Sequence, residues 1–441
     1  MLVMRVRYGC VLTLAMRHFA SDSALMRKQH PAEESDPATA RIVFAAREEL
    51  LNHGLDHISI DAIAARAGAS KTTIYDRFAS KASLFAEVLR VTIAEAGGET
   101  LPDLSGLNEA DALTKIGQWL DRSARSPANL ALYRANIVAA VRYPELSEEL
   151  HALRSRSPGV MAFVDALPAR SSVPNLPAEH LAQWLGVLAT GGLHYLIGLP
   201  EDPTLDRARI DAAAHLFSRG WRSPVTASPA PPRGLEPYAS GIAGHPGRTP
   251  PDRWKALLVH TARSLLDEGV RGTSVDRLSM ETGLSKATIY RRFGDKDGLI
   301  SATLNNLAED LAIDLPEMSN DTDIASALIT IGSHYQNRFA RPDHVAILRL
   351  LVREAAQRPE LTSRVWHRLT ASTHAAFATF LQARADAGEL HLTDAVVAAE
   401  QFLLLAGGGN RLLTGTGISG DNDAEENVRQ LVSFCLRQPV E

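Results

Sequence analysis

Apolar residues recur along this chain at the spacing of an α-helix. In the stretch RIVFAAREELLNHG, the residues Ile42, Ala45, Ala46 and Leu50 fall three or four positions apart or side by side, and Gly54 ends the pattern. This spacing places them on one side of a helix, which can bury that side against a core. The alternation of Val, Ile and Thr that is typical of strands is essentially absent from the sequence. The sequence therefore predicts an all-α fold.

Two short helices with a tight turn between them are predicted directly after this segment. Ser59 can cap the helix IDAIAARA, Gly68 ends that helix, and Ser70 can cap the next one, KTTIYDRF. Helical spacing turns Ile74 and Phe78 of the second helix inward, because they lie one turn apart. Two short helices joined by a glycine-containing turn form a helix-turn-helix.

The outward face of the second helix carries side chains that are suited to DNA. Lys71, Thr72 and Tyr75 lie together on this face and could reach base edges in a major groove. Arg77 and Lys81 could hold phosphates, as could the N-termini of the helices. The alternative is a surface helical hairpin that binds nothing.

The whole pattern occurs twice in the chain, 215 positions apart. Residues 46–85 align with residues 261–300 without a gap and share 15 identities in 40 positions. The segments SKTTIYDRF and SKATIYRRF are the two copies of the second helix. Both copies retain the outward Lys, Tyr and Arg, which argues against the hairpin alternative because packing alone does not preserve exposed polar residues. The chain is predicted to be two copies of one unit.

A segment rich in proline and glycine separates the two copies. Residues 223–252 hold eight prolines and four glycines in thirty positions, a composition that cannot form a helix interior and buries little apolar surface. We therefore predict a linker there. The predicted organisation is a disordered N-terminal extension (1–36), a helix-turn-helix domain (37–89), a helical effector or dimerisation domain (90–222), the linker (223–252), a second helix-turn-helix domain (253–304) and a second helical effector or dimerisation domain (305–441).

Composition and charge narrow the class of protein. The 441 residues are 45% hydrophobic and 22% charged, and their formal net charge is −5. Any contact with DNA must therefore come from a local basic face and not from the charge of the whole molecule. The two cysteines, Cys10 and Cys435, lie at opposite ends of the chain, which excludes a disulfide framework or a cysteine-rich metal site.

The same features favour a cytoplasmic location. No apolar run approaches the roughly 18 residues that a membrane-spanning helix needs, so we expect no membrane segment. Arg5 and Arg7, followed by a short apolar stretch, superficially suggest a signal peptide, and translation from Met26 is the alternative that we favour. No cofactor and no metal are expected.

Two longer segments resemble the DNA-binding domain of the TetR/AcrR family of bacterial transcriptional regulators. They are ISIDAIAARAGASKTTIYDRFASKASLF and TSVDRLSMETGLSKATIYRRFGDKDGLI, each with a capped helix ending in Gly, a recognition helix with Tyr and Phe, and a following Lys. LYRANIVAAVRYPEL, ILRLLVREAAQRPEL and AGEL at 387–390 are similar to the helical ligand-binding and dimerisation part of the family. The resemblance covers most of residues 37–220 and 253–437. It implies a double-stranded DNA operator, an unidentified small-molecule effector and, as the family's usual mode, repression.

The resemblance also implies roles for individual residues. Those that resemble contacts to bases or the adjacent sugar-phosphate are Lys71, Thr72 and Tyr75 in the first copy and Lys286, Ala287 and Tyr290 in the second. Those that resemble phosphate contacts are Thr73, Arg77 and Lys81, and then Thr288, Arg292 and Lys296. The predicted DNA-binding set is completed by the serines that cap the helices, Ser59, Ser70, Ser274 and Ser285.

The two copies of the recognition helix are not equivalent. Residues 70–81 contain three basic residues and one acidic residue, a net charge of +2, whereas residues 285–296 contain four basic and one acidic, a net charge of +3. Ala287 in place of Thr72 exchanges a hydroxyl for a methyl suited to thymine, a change worth about 1–3 kcal/mol of base discrimination. We hypothesise an intrachain pseudo-dimer that reads an operator with unequal half-sites. Pairing with a second chain, as a homodimer, is the alternative.

Aromatic residues scattered through the helical parts are candidates for an effector pocket. By the family resemblance, an effector bound in each bundle would change the spacing of the two DNA-reading helices. The candidate residues are Trp119, Tyr133, Trp184 and His194 in the first copy, and Tyr335, Trp366 and Phe377 in the second. The simpler alternative is that these side chains fill the core.

Two other functional classes compete with an effector-released repressor. The first is a DNA-binding or protein-binding adaptor that senses no ligand. The second is a helical-bundle enzyme, suggested by the Glu-x-x-His spacing of Glu148 and His151, which builds di-iron sites when it is duplicated. The second copy has no matching His, and no catalytic motif is found elsewhere in the sequence, so we predict no enzyme and no catalytic residue.

Overall fold

The structure is a computed structural model of the chain. It describes residues 36–55, 58–96, 100–143, 158–167, 176–224, 251–317, 322–409, 411–414 and 421–438. Throughout these ranges the regular secondary structure is helical and no strand is formed, which confirms the predicted all-α fold. Residues 1–35 of the N-terminal extension, the Glu148/His151 spacing and most of the predicted linker lie outside the described residues. Asp36, the last residue of that predicted extension, caps the first helix.

The helices of the first unit follow the predicted order. They are α1 (Pro37–His53), α2 (Ile60–Ala67), α3 (Lys71–Arg77), α4 (Lys81–Ala96), α5 (Glu109–Arg125), α6 (Pro127–Arg142), α7 (Pro158–Ala166), α8 (Ala178–Thr190) and α9 (Pro203–Arg219).

The second unit repeats this order. Its helices are α10 (Pro251–Gly272), α11 (Val275–Thr282), α12 (Lys286–Phe293), α13 (Lys296–Leu311), α14 (Ile324–Phe339), α15 (Pro342–Glu354), α16 (Pro359–Asp386), α17 (Ala395–Ala406), α18 (Arg411–Thr414) and α19 (Asp421–Leu436).

Several helix ends differ from the predicted boundaries. The linker was predicted to reach residue 252, but α10 begins at Pro251, because proline suits the first turn of a helix. Helices α4 and α13 also continue past the predicted domain boundaries at residues 89 and 304, since nothing in their sequences breaks them there. Gly54, predicted to stop the first helix, caps α1 with a φ of +74°, and the equivalent Gly269 interrupts α10 with a φ of +75°.

The same long-range hydrogen bond occurs in both units. Arg134 on α6 donates from Nε to the carbonyl oxygen of Leu196 at 2.9 Å, and Arg349 on α15 donates to the carbonyl oxygen of Leu413 at 2.9 Å. Burial lowers the pKa of Arg134 to about 10 and also lowers the pKa of Arg349. The repeat found in the sequence is therefore also a repeat of tertiary contacts.

Each helix-turn-helix segment has a small apolar core of its own. In the first unit Ile42, Ile63, Ile74 and Leu84 are buried together, and in the second unit a cluster around Ile289 does the same. The buried side of each recognition helix is thus fixed by its neighbours. The opposite side is left facing outward.

The helical bodies of the two units share one continuous apolar core. Helices α8 and α9 pack against α17, and aromatic pairs connect α9 and α8 to α19. The rings of Trp184 and Phe434 are 5.0 Å apart between centroids, those of Phe217 and Phe434 also 5.0 Å, and those of Trp221 and Phe402 6.0 Å. Aromatic pairs of this kind contribute about 0.5–1.5 kcal/mol each beyond their burial. In the described part of the chain, no helix has the length and apolar character needed to cross a membrane.

Candidate nucleic-acid interface

The start of each recognition helix is fixed by a serine cap. Ser70 Oγ accepts a hydrogen bond from the backbone N–H of Thr73 at 3.0 Å, and Ser285 Oγ accepts one from Thr288 at 3.2 Å. The hydroxyls of each serine and threonine are also paired, at 2.8 and 2.9 Å. Thr73 and Thr288, which were predicted to contact phosphates, are therefore parts of the cap. Their hydroxyls are held at the N-terminus of the helix.

The turn before each recognition helix needs a glycine. Gly68 has a φ of +60° and Gly283 a φ of +66°, in the left-handed region that side chains with a Cβ rarely adopt. The preceding helices are capped by Ser59, which accepts from Ala62 N at 3.0 Å, and Ser274, which accepts from Arg277 N at 3.4 Å. Each preceding helix thus has a serine at its start and a left-handed glycine at its end.

The outward faces carry the side chains that the sequence placed there. Tyr75 is 49% exposed and Tyr290 is 37% exposed, although both are large and partly apolar. One position before them, Ile74 and Ile289 are almost fully buried. Lys71, Thr72, Lys286 and Ala287 are exposed beside the tyrosines. Each unit thus presents an aromatic ring, a lysine and one small side chain on a single helical face.

An aspartate from the preceding helix meets the lysine in both units. Lys71 Nζ lies 2.7 Å from Asp61 Oδ1, and Lys286 forms the same ion pair with Asp276. The hydrogen bond to Asp61 raises the pKa of Lys71, so its ammonium stays charged. Asp61 lies in the first turn of α2. The signal for the ion pair was the retention of both Asp and Lys, ten residues apart, in both copies.

The predicted phosphate-binding arginines have different partners in the two units. Arg77 Nε lies 3.0 Å from Asp36 Oδ2 and 3.1 Å from Thr39 Oγ1, and this arginine lowers the pKa of Asp36 by hydrogen bonding to it. The guanidinium carbon of Arg292 instead lies 4.6 Å from the ring centroid of Trp254. Trp254 occupies the position equivalent to Thr39 at the 215-residue offset. The same site therefore holds one arginine by an ion pair and the other by a cation–π contact.

The remaining predicted phosphate contact of the first unit is turned toward the protein. Lys81 Nζ donates to the backbone carbonyl of Ile58 at 2.8 Å and lies 5.1 Å from the ring centroid of Phe85. Its ammonium links the start of α4 to the segment before α2. The structure thus brings Lys71, Thr72, Thr73 and Tyr75 onto one outward helix, with Lys81 anchored at its edge.

Five of the seven candidate effector residues are buried, and Tyr133 and Trp184 are partly buried against the same core. His194 and Trp366 come from different units and meet edge to face, with ring centroids 5.6 Å apart. The others pair with neighbouring rings: Trp119 with Phe163, Tyr133 with Tyr195, Trp184 with Phe434, Tyr335 with Phe339 and Phe377 with Phe402. Burial raises the pKa of Tyr335 and lowers the pKa of His194 to about 3.

The profile of a known family matches both helix-turn-helix segments. The family described as "Bacterial regulatory proteins, tetR family" matches residues 42–88 and again residues 257–303. A second profile, described as "AefR-like transcriptional repressor, C-terminal domain", matches residues 326–438. Together the two profiles cover the second unit almost from end to end and the DNA-binding part of the first.

Curated relatives are similar over part of their length. An uncharacterised HTH-type transcriptional regulator of Mycobacterium tuberculosis is 33% identical over 114 residues, which is 26% of this chain and 54% of the relative. The DNA-binding transcriptional repressor TetR of Mycobacteroides abscessus is 29% identical over 125 residues, 28% of this chain and 63% of the relative. The chain thus spans between half and two thirds of the curated relatives that it matches.

Solved structures with similarity to the chain include two regulators. The flavonoid-responsive regulator FrrA is 27% identical, with a TM-score of 0.38, over 43% of this chain and 99% of its own. A TetR family transcriptional regulator from Pseudomonas syringae pv. tomato is 24% identical, with a TM-score of 0.30, over 41% of this chain and 95% of its own.

The capped recognition helices and the two profile matches at the same offset define the class of protein. The chain belongs to the TetR family of bacterial transcriptional regulators, and it carries two units of that family in tandem.

Proposed function

We propose that this chain is a sequence-specific DNA-binding repressor whose two helix-turn-helix segments bind one operator as an intrachain pseudo-dimer. The observation that carries the proposal is the pair of recognition helices, each with an exposed tyrosine and a lysine on one face. Since the helical bodies pack against each other within one chain, both readers can act without a second chain. Repression follows from the description of the family profile that matches residues 326–438. Its site of action would be the cytoplasm, where bacterial DNA lies.

The operator is expected to have unequal half-sites. Thr72 and Ala287 are both exposed at equivalent positions, one with a hydroxyl and the other with only a methyl group. Arg77 and Arg292 are held by different partners, so the two units approach the phosphates with different charge arrangements. Genome-wide mapping of the bound DNA should reveal a site whose halves differ. Equally tight binding to a site with scrambled halves would contradict the proposal.

Substitution of the two exposed tyrosines tests the readers separately. Tyr75→Ala and Tyr290→Ala should each weaken operator binding, and each should relax discrimination in only one half-site. The measurement is fluorescence anisotropy with the mapped operator and with operators mutated in either half. Met161→Ala, at a side chain on α7 that is 45% exposed, is the matched control and should leave binding unchanged. If neither tyrosine change affects binding, α3 and α12 are not the readers.

Release by a small molecule is the second part of the proposal. Screening a small-molecule library for compounds that raise the melting temperature separates a sensor from an adaptor that has no ligand. A sensor should give compounds that raise the melting temperature and also weaken operator binding. The absence of any such compound would favour the adaptor.

A further inference from the structure

A charged pair is buried in the contact between the two units. Arg209 on α9 and Glu400 on α17 are each only 6% exposed. Arg209 donates from Nε to Glu400 Oε1 at 2.7 Å and from Nη2 to Glu400 Oε2 at 3.2 Å. A bidentate pair of this kind fixes both the distance and the orientation of the groups that it joins. It therefore constrains how the first unit sits against the second.

Neighbouring groups satisfy the other polar atoms of Arg209. Its Nη1 donates to Asp206 Oδ1 at 3.0 Å, and its Nη2 lies 2.7 Å from His194 Nδ1. Because burial lowers the pKa of His194 to about 3, the ring is neutral at physiological pH and Nδ1 accepts this hydrogen bond. Gln401, next to Glu400, donates from Nε2 to the backbone carbonyl of Arg209 at 2.8 Å. The cluster is a connected network across the contact, with residues from both units.

The mirror-image position in this pseudo-symmetric contact carries no charge. The glycine pairs 191–192 and 408–409 have positive φ and donate equivalent backbone hydrogen bonds, so the offset between the units is 217 in this region and the counterpart of Glu400 is Gln183, the residue before Trp184. Trp184 packs against Phe434 on α19, the last helix of the second unit. In a dimer with true two-fold symmetry each contact would occur twice. Here one side of the contact holds an ion pair, and at the mirror position the first unit offers only the neutral amide of Gln183.

The counterpart of Arg209 is not basic. At offsets of 216, 217 and 218 the residue equivalent to Arg209 is Glu425, Glu426 or Asn427. Pairing two first units would therefore bury Arg209 against Gln183, which offers no carboxylate. Pairing two second units would bury Glu400 facing a helix that offers no cation at the equivalent positions. Because a dimer of identical units is symmetric, each buried charge without a partner would occur twice. Such a charge is strongly destabilising.

We propose that the Arg209–Glu400 pair selects the pairing partner, so that a first unit accepts a second unit and rejects another first unit. This inference rests on the pseudo-dimer proposed above. The same pair would reject single-unit members of the family that lack a carboxylate at the position of Glu400. The partner of the surface formed by α8 and α9 is thus the second unit of this protein, specified by charge as well as by shape.

Two reciprocal full-length variants test the proposal. In R209E the new carboxylate faces Glu400, and in E400R the new guanidinium faces Arg209, so that each variant alone carries like charges in the contact. When the two variants are co-expressed with different affinity tags, opposite charges meet only between chains. We expect native mass spectrometry to show a one-to-one dimer in the co-expressed sample, at least tenfold more abundant than the dimer of either variant alone. A co-expressed sample with no excess of mixed dimer would overturn the proposal.

Two further samples keep the test decisive. R341E and D343R, at the exposed pair of Arg341 and Asp343, form the matched control and should give no mixed dimer when co-expressed. The double variant R209E/E400R restores opposite charges within one chain and should unfold at a higher temperature than either single variant. A double variant no more stable than the weaker single variant would contradict the proposal even if the single variants fold poorly.

The outcome is separable from that of the proposed function. A wild-type chain that is itself a dimer in solution would refute the intrachain pseudo-dimer, but the mixed-dimer test would still decide whether the pair selects its partner. Conversely, Tyr75→Ala and Tyr290→Ala variants that bind DNA as well as the wild type would refute DNA recognition by these two helices. Both variants leave the Arg209–Glu400 contact untouched.

Discussion

Each recognition helix begins with a lysine whose ammonium meets an aspartate from the preceding helix. Both partners are more than 45% exposed, and because water screens exposed ion pairs, this pair contributes little to folding. The effect of the aspartate is therefore expected in DNA affinity more than in stability. DNA phosphates and the aspartate compete for the same lysine.

Neutralising this aspartate should strengthen binding to DNA. In Asp61→Asn, Lys71 loses its competing anion and the DNA phosphates lose a like charge, so operator affinity should rise by roughly fivefold. Fluorescence anisotropy at several salt concentrations should also show a steeper salt dependence. Asp165→Asn, at an exposed aspartate on α7, should change neither quantity. Weaker binding of Asp61→Asn would show that the aspartate positions Lys71 for DNA.

The buried His194 should make stability depend on pH. Its pKa in the folded chain is about 3, whereas the ordinary value is 6.5, so the unfolded chain binds the extra proton between these values. Stability is thus complete above about pH 6.5 and falls as the pH drops toward 3, with a slope of up to about 1.4 kcal/mol per pH unit. His194→Asn keeps an acceptor for Arg209 but cannot titrate, so denaturant unfolding between pH 7.5 and 5.5 should show a shallower slope.

Other groups around His194 titrate as well, and the comparison between variants separates them. Arg209, Glu400, His374 and His367 all affect the pKa of His194, and they remain in the variant. His53→Asn, at a half-exposed histidine on α1, is the matched control for the loss of an imidazole. An unchanged slope in His194→Asn would mean that the histidine is not buried in the neutral form.

At the scale of the element, the sequence predicted the helix-turn-helix almost completely. Capping depends on residues three positions apart, so Ser59 and Ser70 act on their own helices whatever the rest of the chain does. Gly68 was expected to end α2, and the structure shows why by its left-handed φ. The break of α10 at Gly269 follows from the same conformational preference, yet one further helical turn continues beyond it.

The turn can be tested by comparing a glycine that has a left-handed backbone conformation with a glycine inside a helix. No atom lies within 4 Å of a Cβ added at Gly68 or at Gly186, but Gly68 has a positive φ and Gly186 lies inside α8. Gly68→Ala should destabilise the fold by about 1–2 kcal/mol and weaken DNA binding, because its conformation strains any side chain. Gly186→Ala should stabilise the fold by about 0.4–1 kcal/mol and leave DNA binding unchanged. Thermal unfolding followed by circular dichroism measures both, and equal effects would contradict this account.

At the scale of the whole molecule, the two units are joined by more than the linker. Aromatic pairs and the Arg209–Glu400 network connect α8 and α9 with α17 and α19. An isolated unit would expose this apolar surface to water, at a cost that grows with its area. We therefore expect the linker to keep the two units close together, which sets their effective concentration. We expect the contact between the helical bodies to hold the units together.

Cutting the linker should leave the units associated. A protease site inserted in the proline-rich segment 225–250 allows cleavage of the folded, full-length protein. The two fragments should elute together from a sizing column at the mass of the intact chain, because the contact is buried and apolar. The same cleavage in R209E should release separate fragments. Separation of the wild-type fragments at micromolar concentration would show that the contact depends on the tether.

The sequence by itself determined the all-α fold, the duplication and the two recognition helices, because these depend on spacings of a few residues. Caps, turns and the inward face of a helix are local, and the repeat is visible wherever the offset is 215 or close to it. Only the tertiary structure decided which partners the arginines meet. Arg77 reaches Asp36 and Arg292 reaches Trp254, although the two arginines are equivalent in sequence.

The Arg209–Glu400 pair joins residues 191 positions apart, and no local rule connects them. A signal existed, since Glu400 and Gln401 interrupt the otherwise apolar helix AVVAAEQFLLLA. That signal marks a buried polar site but does not identify its partner. The partner depends on how two whole bundles pack against each other, and this packing is settled by the sum of many apolar contacts spread over both units.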